Sequence, residues 1–187
     1  AIGQVSHFDL DNHLTEKQLL NALNFYTDEN CKIMSLCKTH DRFDSRFDAK
    51  NRTYKYQIYF GKSILYRNQA WLKNDNIDIK ILNQLANYIV GEHDFLSFSK
   101  YNPEMKNTRS YIYFSKWTVE KKMLSYKVCA NRFLHHMIRY LVGTMVAVSD
   151  DKFSIKHFKT LLHEPQKNVQ IHKAPSCGLQ LLDVEYD

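Results

Sequence analysis

The sequence lacks the motifs on which several common enzyme sites are built. It contains no glycine-rich phosphate loop, no serine nucleophile elbow and no cysteine–histidine arrangement typical of a thiol nucleophile. The four cysteines are irregularly spaced and form no CxxC pair, which argues against a disulfide framework and a structural zinc site. No apolar run approaches the ~18 residues of a membrane-spanning helix. These absences favour a cytosolic protein with reduced thiols.

The chain does contain a surplus of basic residues and many aromatic rings. Its 187 residues include 26 Lys and Arg against 20 Asp and Glu, which gives a formal net charge of +6. Aromatic residues make up 13% of the chain, and 12 of them are tyrosines. Cations beside aromatic rings can contact phosphates and stack on bases. The composition is therefore compatible with an RNA partner, although the same rings can equally fill a core.

Local sequence patterns predict helices and strands in alternation. A capping box at residues 15–18 starts a first helix, and Asp78 can cap a second that stops at Gly91. Further helices are predicted over 133–148 and 154–163. Strands are predicted over 1–9, 31–38, 54–60, 111–120, 124–130 and 179–186. Strands joined by hairpins, with helices between them, predict an α+β fold with a largely antiparallel sheet.

The predicted helix over 133–148 is the most informative element. Its wide apolar stripe indicates a mostly buried helix; the stripe consists of Leu134, Ile138, Leu141, Met145 and Val148. A second, narrow stripe consists of Arg132, His136, Arg139 and Gly143. A cation on a buried helix needs an anionic partner, because desolvating it alone is costly. That partner could be an internal carboxylate, an active-site carboxylate or a phosphate, and Gly143 would allow another backbone to approach closely.

Two other groups of residues could carry chemistry. Arg46 and Arg52 precede the strand that starts at Tyr54, whose side chain could project from the sheet edge into a cleft. The same tyrosine could also be a packing residue. His135 and His136 could serve a metal-dependent hydrolase, but adjacent helical positions point apart and there is no HExxH motif. The residues alone therefore define a basic α+β protein compatible with RNA binding, without naming a reaction.

Six short motifs, in order and with similar gaps, resemble the tRNA pseudouridine synthase A family along nearly the whole chain. They are residues 3–8 (GQVSHF), 45–49 (SRFDA), 52–56 (RTYKY), 91–95 (GEHDF), 130–139 (ANRFLHHMIR) and 178–181 (GLQL). Each motif alone is weak, and the FLHHMIR run is the most distinctive of the six.

The resemblance implies an isomerase that converts uridine to pseudouridine in the anticodon stem-loop of tRNA, at about positions 38–40, and flips the base out of its stack. It implies no metal, ATP or redox cofactor, and a cytoplasmic homodimer that binds tRNA. It also implies a fold of two halves, each with a mostly antiparallel sheet and flanking helices. Residues 1–44 would be the tail of the N-terminal half, and residues 45–187 the C-terminal half. A non-catalytic RNA-binding module remains the alternative.

The resemblance also assigns roles to individual residues. Tyr54 corresponds to the active-site tyrosine that packs on the target uracil and is proposed to take the C5 proton. Arg139 corresponds to the arginine that pairs with the nucleophilic aspartate, and Leu179 to the apolar wall of the base pocket. Arg46 resembles an RNA-contacting arginine near the cleft, and Arg52 is grouped with it as a substrate-binding residue.

The family's nucleophilic aspartate belongs to a Gly-Arg-Thr-Asp-x-Gly-Val-His segment directly before the GQV motif. By this resemblance the aspartate lies ahead of Ala1, so residues 1–187 alone are expected to be inactive. Arg139 is then expected to pair with another acid, an anion or water. Arg132 stands where relatives carry a small residue, so the resemblance gives it no role.

Overall fold

The computed structural model describes residues 1–11, 13–74 and 77–186. The chain divides into two units. The larger consists of Ala1–Gln4 and Ala49–Asp187, and the smaller of Val5–Asp48. The smaller unit ends a few residues beyond the boundary expected between the two synthase halves. The division at 44/45 itself stays a prediction.

The smaller unit contains one helix, α1 (Glu16–Tyr26). The predicted capping box is confirmed. The Thr15 hydroxyl accepts from Gln18 N at 3.3 Å, and Gln18 Oε1 accepts from Thr15 N at 2.9 Å. These two bonds satisfy backbone donors that the first helical turn leaves unpaired.

The predicted strand over residues 31–38 is wrong, because no strand is present there. Asn24 on α1 explains the difference. Its amide nitrogen donates to Ile33 O at 3.0 Å, and its amide oxygen accepts from Ile33 N at 2.8 Å. The side chain thus makes the pair of hydrogen bonds that a neighbouring strand would otherwise make.

The predicted strand over residues 1–9 is also wrong. Ile2 N and Gly3 N both donate to Leu181 O, at 2.8 and 3.4 Å. A strand ladder uses a different carbonyl for each donor, so these two bonds do not extend the sheet.

The larger unit is built on a six-stranded sheet. Its strands are β1 (Asn51–Phe60), β2 (Trp71–Lys73), β3 (Gly91–Asp94), β4 (Arg109–Glu120), β5 (Met123–Ala130) and β6 (Leu179–Glu185). They lie in the order β2-β1-β5-β4-β3, with β6 also paired to β1. The β1–β2 pair is parallel and the other pairs are antiparallel. The predicted α+β fold with a largely antiparallel sheet is confirmed.

Among the described residues of the larger unit, three α-helices accompany the sheet, α2 (Ile79–Tyr88), α3 (Met137–Ser149) and α4 (Ile155–His163), together with a short 3₁₀ helix (Leu96–Phe98). The predicted cap is confirmed for α2, where Asp78 accepts from Lys80 N at 2.7 Å. In α4 the cap is Ser154, which accepts from His157 N at 3.0 Å. Gly91 has φ +99° and opens β3. Among the described helices, none combines the length and apolar character needed to cross a bilayer.

Helix α3 begins at Met137, so the predicted start at residue 133 is wrong. His136 has φ +65°, in the left-handed region, and a right-handed helix cannot continue through such a residue. Met137 N donates to Leu134 O at 3.0 Å, which closes a turn before the helix. Arg132 and His136 therefore lie outside the helix, and the predicted polar stripe is reduced to Arg139 and Gly143.

The core lies between one face of the sheet and the helices. A row of aligned, buried side chains crosses three strands on this face and consists of Tyr56, Tyr126 and Trp117. Trp117 stacks on Tyr126 with ring centroids 4.8 Å apart, and its indole donates to Met145 Sδ of α3 at 3.4 Å. Side chains alternate along a strand, so the next aligned row, Lys55, Lys127 and Lys116, lies on the opposite face.

Candidate active site

Tyr54 lies in β1 between Val128 of β5 and Leu181 of β6. Its half-buried ring packs edge-on against Phe133, with centroids 5.2 Å apart and an interplanar angle of 82°. Burial raises the pKa of the Tyr54 phenol, and the positive charge of Arg52 acts in the opposite direction. The phenol is therefore neutral at physiological pH.

A β-bulge adjoins Tyr54. The pairing of β1 with β6 shifts from Thr53–Asp183 to Tyr54–Leu181, which leaves Leu182 as the extra residue. Bulges re-aim nearby side chains and often lie beside functional sites. Gly3 packs directly on this bulge, since a Cβ added to it would lie 2.3 Å from Leu182 O. The glycine that opens the GQVSHF motif is thus needed for close packing against β6.

Arg139, in the first turn of α3, holds the chain segment before β6. Its Nε donates to Ala174 O at 2.7 Å, and Ala174 N donates to Arg139 O at 2.9 Å. Over residues 1–11, 13–74 and 77–186, no carboxylate forms an ion pair with Arg139. The partner within the described chain is a backbone carbonyl, and the expected pairing of Arg139 with another acid, an anion or water stays a prediction.

Gly143 lies one turn further along α3 and touches the same segment. A Cβ at this position would lie 2.4 Å from His172 O and 2.7 Å from Ala174 N. Contacts this short are not tolerated between a side chain and a backbone, so a glycine is required. The prediction that Gly143 admits a second backbone is confirmed.

Tyr56 and Leu179 complete this region. They are paired across β1 and β6, and the Tyr56 hydroxyl donates to Pro175 O at 2.7 Å. Burial raises the pKa of Tyr56 first of all, Cys177 adds to the rise, and the charge of Arg139 opposes it. The charge of Arg139 therefore acts on the buried phenol of Tyr56. Leu179 is half-buried and packs against the core.

Three of the predicted site residues come together in the larger unit. Tyr54 and Tyr56 are two positions apart and share a face of β1, and Leu179 lies opposite Tyr56. Arg139 reaches the same region from α3 through Ala174. The arrangement combines a neutral phenol, an apolar side chain and an oriented guanidinium on one side of the sheet.

The other predicted residues have different surroundings. Arg46 belongs to the smaller unit, where its guanidinium carbon lies 5.4 Å from the Phe47 ring centroid. Arg52 Nη1 donates to Ala49 O and Asn131 O, both at 2.8 Å, and thereby ties the start of β1 to the turn before α3. Arg132 is partly buried in that turn.

His135 and His136 stack on each other, with ring centroids 3.9 Å apart. Burial lowers the pKa of His136, and the positive charges of His135, Lys173, Arg139 and Lys100 lower it further. Within the part of the chain that the structure describes, no group of three His, Cys, Asp or Glu residues could hold a metal ion. The geometry therefore gives no support to a metal-dependent hydrolase.

Sequence patterns missed several residues that shape this region. Phe133 supports Tyr54, and Tyr56 anchors Pro175. Gly178 is required because a Cβ there would lie 2.6 Å from Gln57 O. Tyr56 and Gly178 belong to the RTYKY and GLQL motifs, so the motifs held the signal, although neither residue had been given a role.

The chain is similar to known enzymes over its whole length. A family model described as tRNA pseudouridine synthase matches residues 85–187, which include Arg139 and Leu179. The tRNA pseudouridine synthase A of Ehrlichia chaffeensis is 36% identical over 190 residues, and that of Neorickettsia sennetsu is 32% identical over 192 residues. Each similarity covers 100% of this chain and 77% of the relative. The tRNA pseudouridine synthase A of Anoxybacillus flavithermus is 28% identical over 188 residues, covering 100% of this chain and 76% of its own length.

Proposed function

This chain belongs to the tRNA pseudouridine synthase family, an isomerase family, and we propose that it acts on uridines in the anticodon stem-loop of tRNA. Tyr54, Leu179 and Arg139 form the proposed uracil-binding side of its active site. One observation carries this proposal. Arg139 sits on the buried helix α3, is oriented by the Ala174 carbonyl, and has no carboxylate partner among the described residues.

The reaction requires the N1–C1′ bond of uridine to break, the uracil to turn, and C5 to bond to C1′ in its place. The target base must leave its stack and find flat or apolar surfaces that replace it. The Tyr54 ring and the Leu179 side chain offer such surfaces on one face of β1 and β6. We infer that these two residues contact the uracil.

In this proposal Arg139 supplies the positive charge that acts on the nucleophilic aspartate. Its Nε is held by Ala174 O, which leaves its other N–H groups to pair with the family's nucleophilic aspartate. A guanidinium close to a carboxylate lowers the pKa of that carboxylate and keeps it ionised. By the resemblance this aspartate has no counterpart within residues 1–187, so we propose that these residues alone form no pseudouridine.

Tyr54 would take part in removing the proton from C5. Because burial raises its pKa, the group is a neutral phenol when the base arrives. A neutral phenol can accept the C5 proton only while it passes its own proton on. We therefore propose that Tyr54 accepts the C5 proton while its own hydroxyl proton passes to a solvent water, rather than acting as a phenolate that is already ionised.

The proposal extends to the surroundings of the enzyme. The net charge of +6 suits a tRNA substrate bound mainly through its phosphates. The chain would work as a homodimer in the cytoplasm, where its four free cysteines would remain reduced.

Chemical detection of pseudouridine in transcript tRNA tests the function. Residues 1–187 should give no product, whereas an N-terminally extended chain that carries the aspartate segment should modify the anticodon stem-loop. In the extended chain, Arg139→Ala should abolish most activity and affect tRNA binding less. Product formed by residues 1–187 alone would place the nucleophile within them and overturn the assignment of Arg139.

A further inference from the structure

A groove that contains Lys100 and Lys167 lies beside α3 in the larger unit. Two adjoining cavities of about 210 and 330 Å³ make up this basic groove. The residues that line both cavities are Leu96, Ser99, Lys100, Tyr101 and Lys167. Its walls come from residues 96–108 and 166–171, two segments that are far apart in the sequence, and from Tyr140 of α3.

Hydrogen bonds fix the two walls of the groove. Ser97, which is buried, accepts from Gln166 N at 2.9 Å and so joins one segment to the other. Lys100 N donates to His135 O at 2.9 Å, which ties the first wall to the turn before α3. The groove is therefore held in place by hydrogen bonds that involve the backbone of both walls.

The charge in the groove is not compensated within the described chain. Lys167 Nζ lies 3.1 Å from the Tyr101 hydroxyl and 4.3 Å from the centroid of its ring. Neither Lys100 nor Lys167 forms an ion pair there. No Asp or Glu among the described residues lines either cavity. A polyanion would gain favourable interactions here without displacing an internal carboxylate.

The groove adjoins the candidate active site. Tyr140 lines the larger cavity and directly follows Arg139 in α3. Lys173 Nζ lies 6.0 Å from the Tyr140 ring centroid. The positive charges of Lys173, Arg139 and Lys100 each lower the pKa of His136, which directly precedes α3. Positive charge from the candidate active site and from the groove therefore acts on the same residue.

We propose that the basic groove holds the sugar-phosphate backbone of RNA nucleotides adjacent to the target uridine, with Lys100 and Lys167 contacting phosphates. The inference rests on the proposed tRNA substrate for the identity of the RNA. Lysines are flexible point charges that suit phosphate contacts without base specificity. The groove would thus hold the strand in register while the base is flipped, whatever the neighbouring bases are.

A charge-matched pair of variants tests the proposal. Lys100→Gln/Lys167→Gln removes two charges from the groove, and Lys116→Gln/Lys127→Gln removes two from the opposite face of the sheet. Binding of transcript tRNA to residues 1–187 is measured by filter retention over a range of KCl. The groove variant should bind about ten-fold more weakly, and its salt dependence should fall by about 1.4 to 1.8 in log–log slope, the value for two phosphate contacts. The control variant should change both quantities little.

The other outcomes are also decisive. Equal losses in the two variants would mean that only net charge matters, and unchanged binding in the groove variant would mean that RNA does not enter the groove. Either result overturns the proposal, as does the absence of tRNA binding by the wild-type chain at low salt. Thermal melting confirms that each variant is folded. Failure of the proposed function is seen separately, as absence of pseudouridine from the extended wild-type chain.

Discussion

Tyr54 and Tyr56 share one face of β1, yet their hydroxyls have different surroundings. The Tyr56 hydroxyl is buried and donates to Pro175 O at 2.7 Å. The Tyr54 ring is half-buried, and its hydroxyl makes no hydrogen bond within the described chain. A buried, satisfied hydroxyl stabilises the fold, whereas an unengaged one on the same face of the strand is available to a substrate. The Tyr-x-Tyr pattern therefore contains one packing residue and one candidate for chemistry.

Tyr54→Phe in the N-terminally extended chain should reduce single-turnover pseudouridine formation by roughly 10² to 10⁴, the usual range for loss of a proton-transfer group. Binding of tRNA and the urea midpoint should be nearly unchanged, since the ring remains. Tyr56→Phe is the matched control, because it leaves the Pro175 carbonyl without its donor. It should cost about 1–3 kcal/mol of stability, measured by urea unfolding. Wild-type turnover in Tyr54→Phe would show that Tyr54 only packs.

At the scale of elements, the contact between α3 and the segment before β6 determines where Arg139 points. The segment crosses α3 at Gly143, where His172 O occupies the space of a side chain. One turn earlier, Ala174 O receives the Arg139 Nε hydrogen bond. A substitution at Gly143 should therefore shift the backbone of this segment, and with it the position of the Arg139 guanidinium.

Gly143→Ala should destabilise the protein by about 1–3 kcal/mol, the usual cost of forcing extra atoms into a packed site. Alanine favours a helix by up to ~1 kcal/mol over glycine, but the added methyl group would lie 2.4 Å from His172 O. Urea unfolding followed by circular dichroism measures the balance. A gain in stability would mean that the segment moves away from α3 at little cost.

Local signals in the sequence predicted the elements that depend on neighbouring residues. The helix caps are the clearest cases: Thr15 and Asp78. The β4–β5 hairpin across residues 121–122 was also predicted, and Lys121 adopts the positive φ that such a turn uses. The predictions failed where a residue outside the local pattern, or an unusual backbone angle, determined the secondary structure. Asn24 took the hydrogen bonds of Ile33, and the left-handed His136 delayed the start of α3.

The candidate site shows the same limit. Apolar periodicity indicated that Arg139 and Gly143 had special neighbours, because a cation and a glycine are costly on a buried helix. Periodicity could not identify residues 172–174 as those neighbours, since the contact joins segments about 30 residues apart and loop closure leaves no local trace. The roles of Tyr54 and Leu179 came from the family resemblance and remain predictions.

At the scale of the whole chain, the sheet of the larger unit separates two kinds of surface. The face against the helices carries large buried rings, among them Tyr56, Tyr126 and Trp117. The opposite face carries aligned lysines, of which Lys116 and Lys127 are exposed. Like charges directly opposite each other weaken a sheet slightly, so the core face must supply the stability. That core includes the phenols of Tyr56 and Tyr126, which are apolar only while they remain protonated.

The stability of the larger unit should therefore fall steeply as the pH rises above about 10. Burial raises the folded-state pKa of Tyr54, Tyr56 and Tyr126 above the ordinary value of 10.0. Above that pH the unfolded phenols ionise while the folded ones stay protonated, so unfolding releases protons. Tyr56 and Tyr126 then each remove about 1.4 kcal/mol of stability per pH unit. Tyr126→Phe should reduce the slope of urea stability against pH by about this amount. Tyr113→Phe is the control, since it removes a phenol that is 52% exposed and lies outside the core. Equal slopes for Tyr126→Phe and wild type would show that the Tyr126 phenol ionises as readily in the folded state as in the unfolded state.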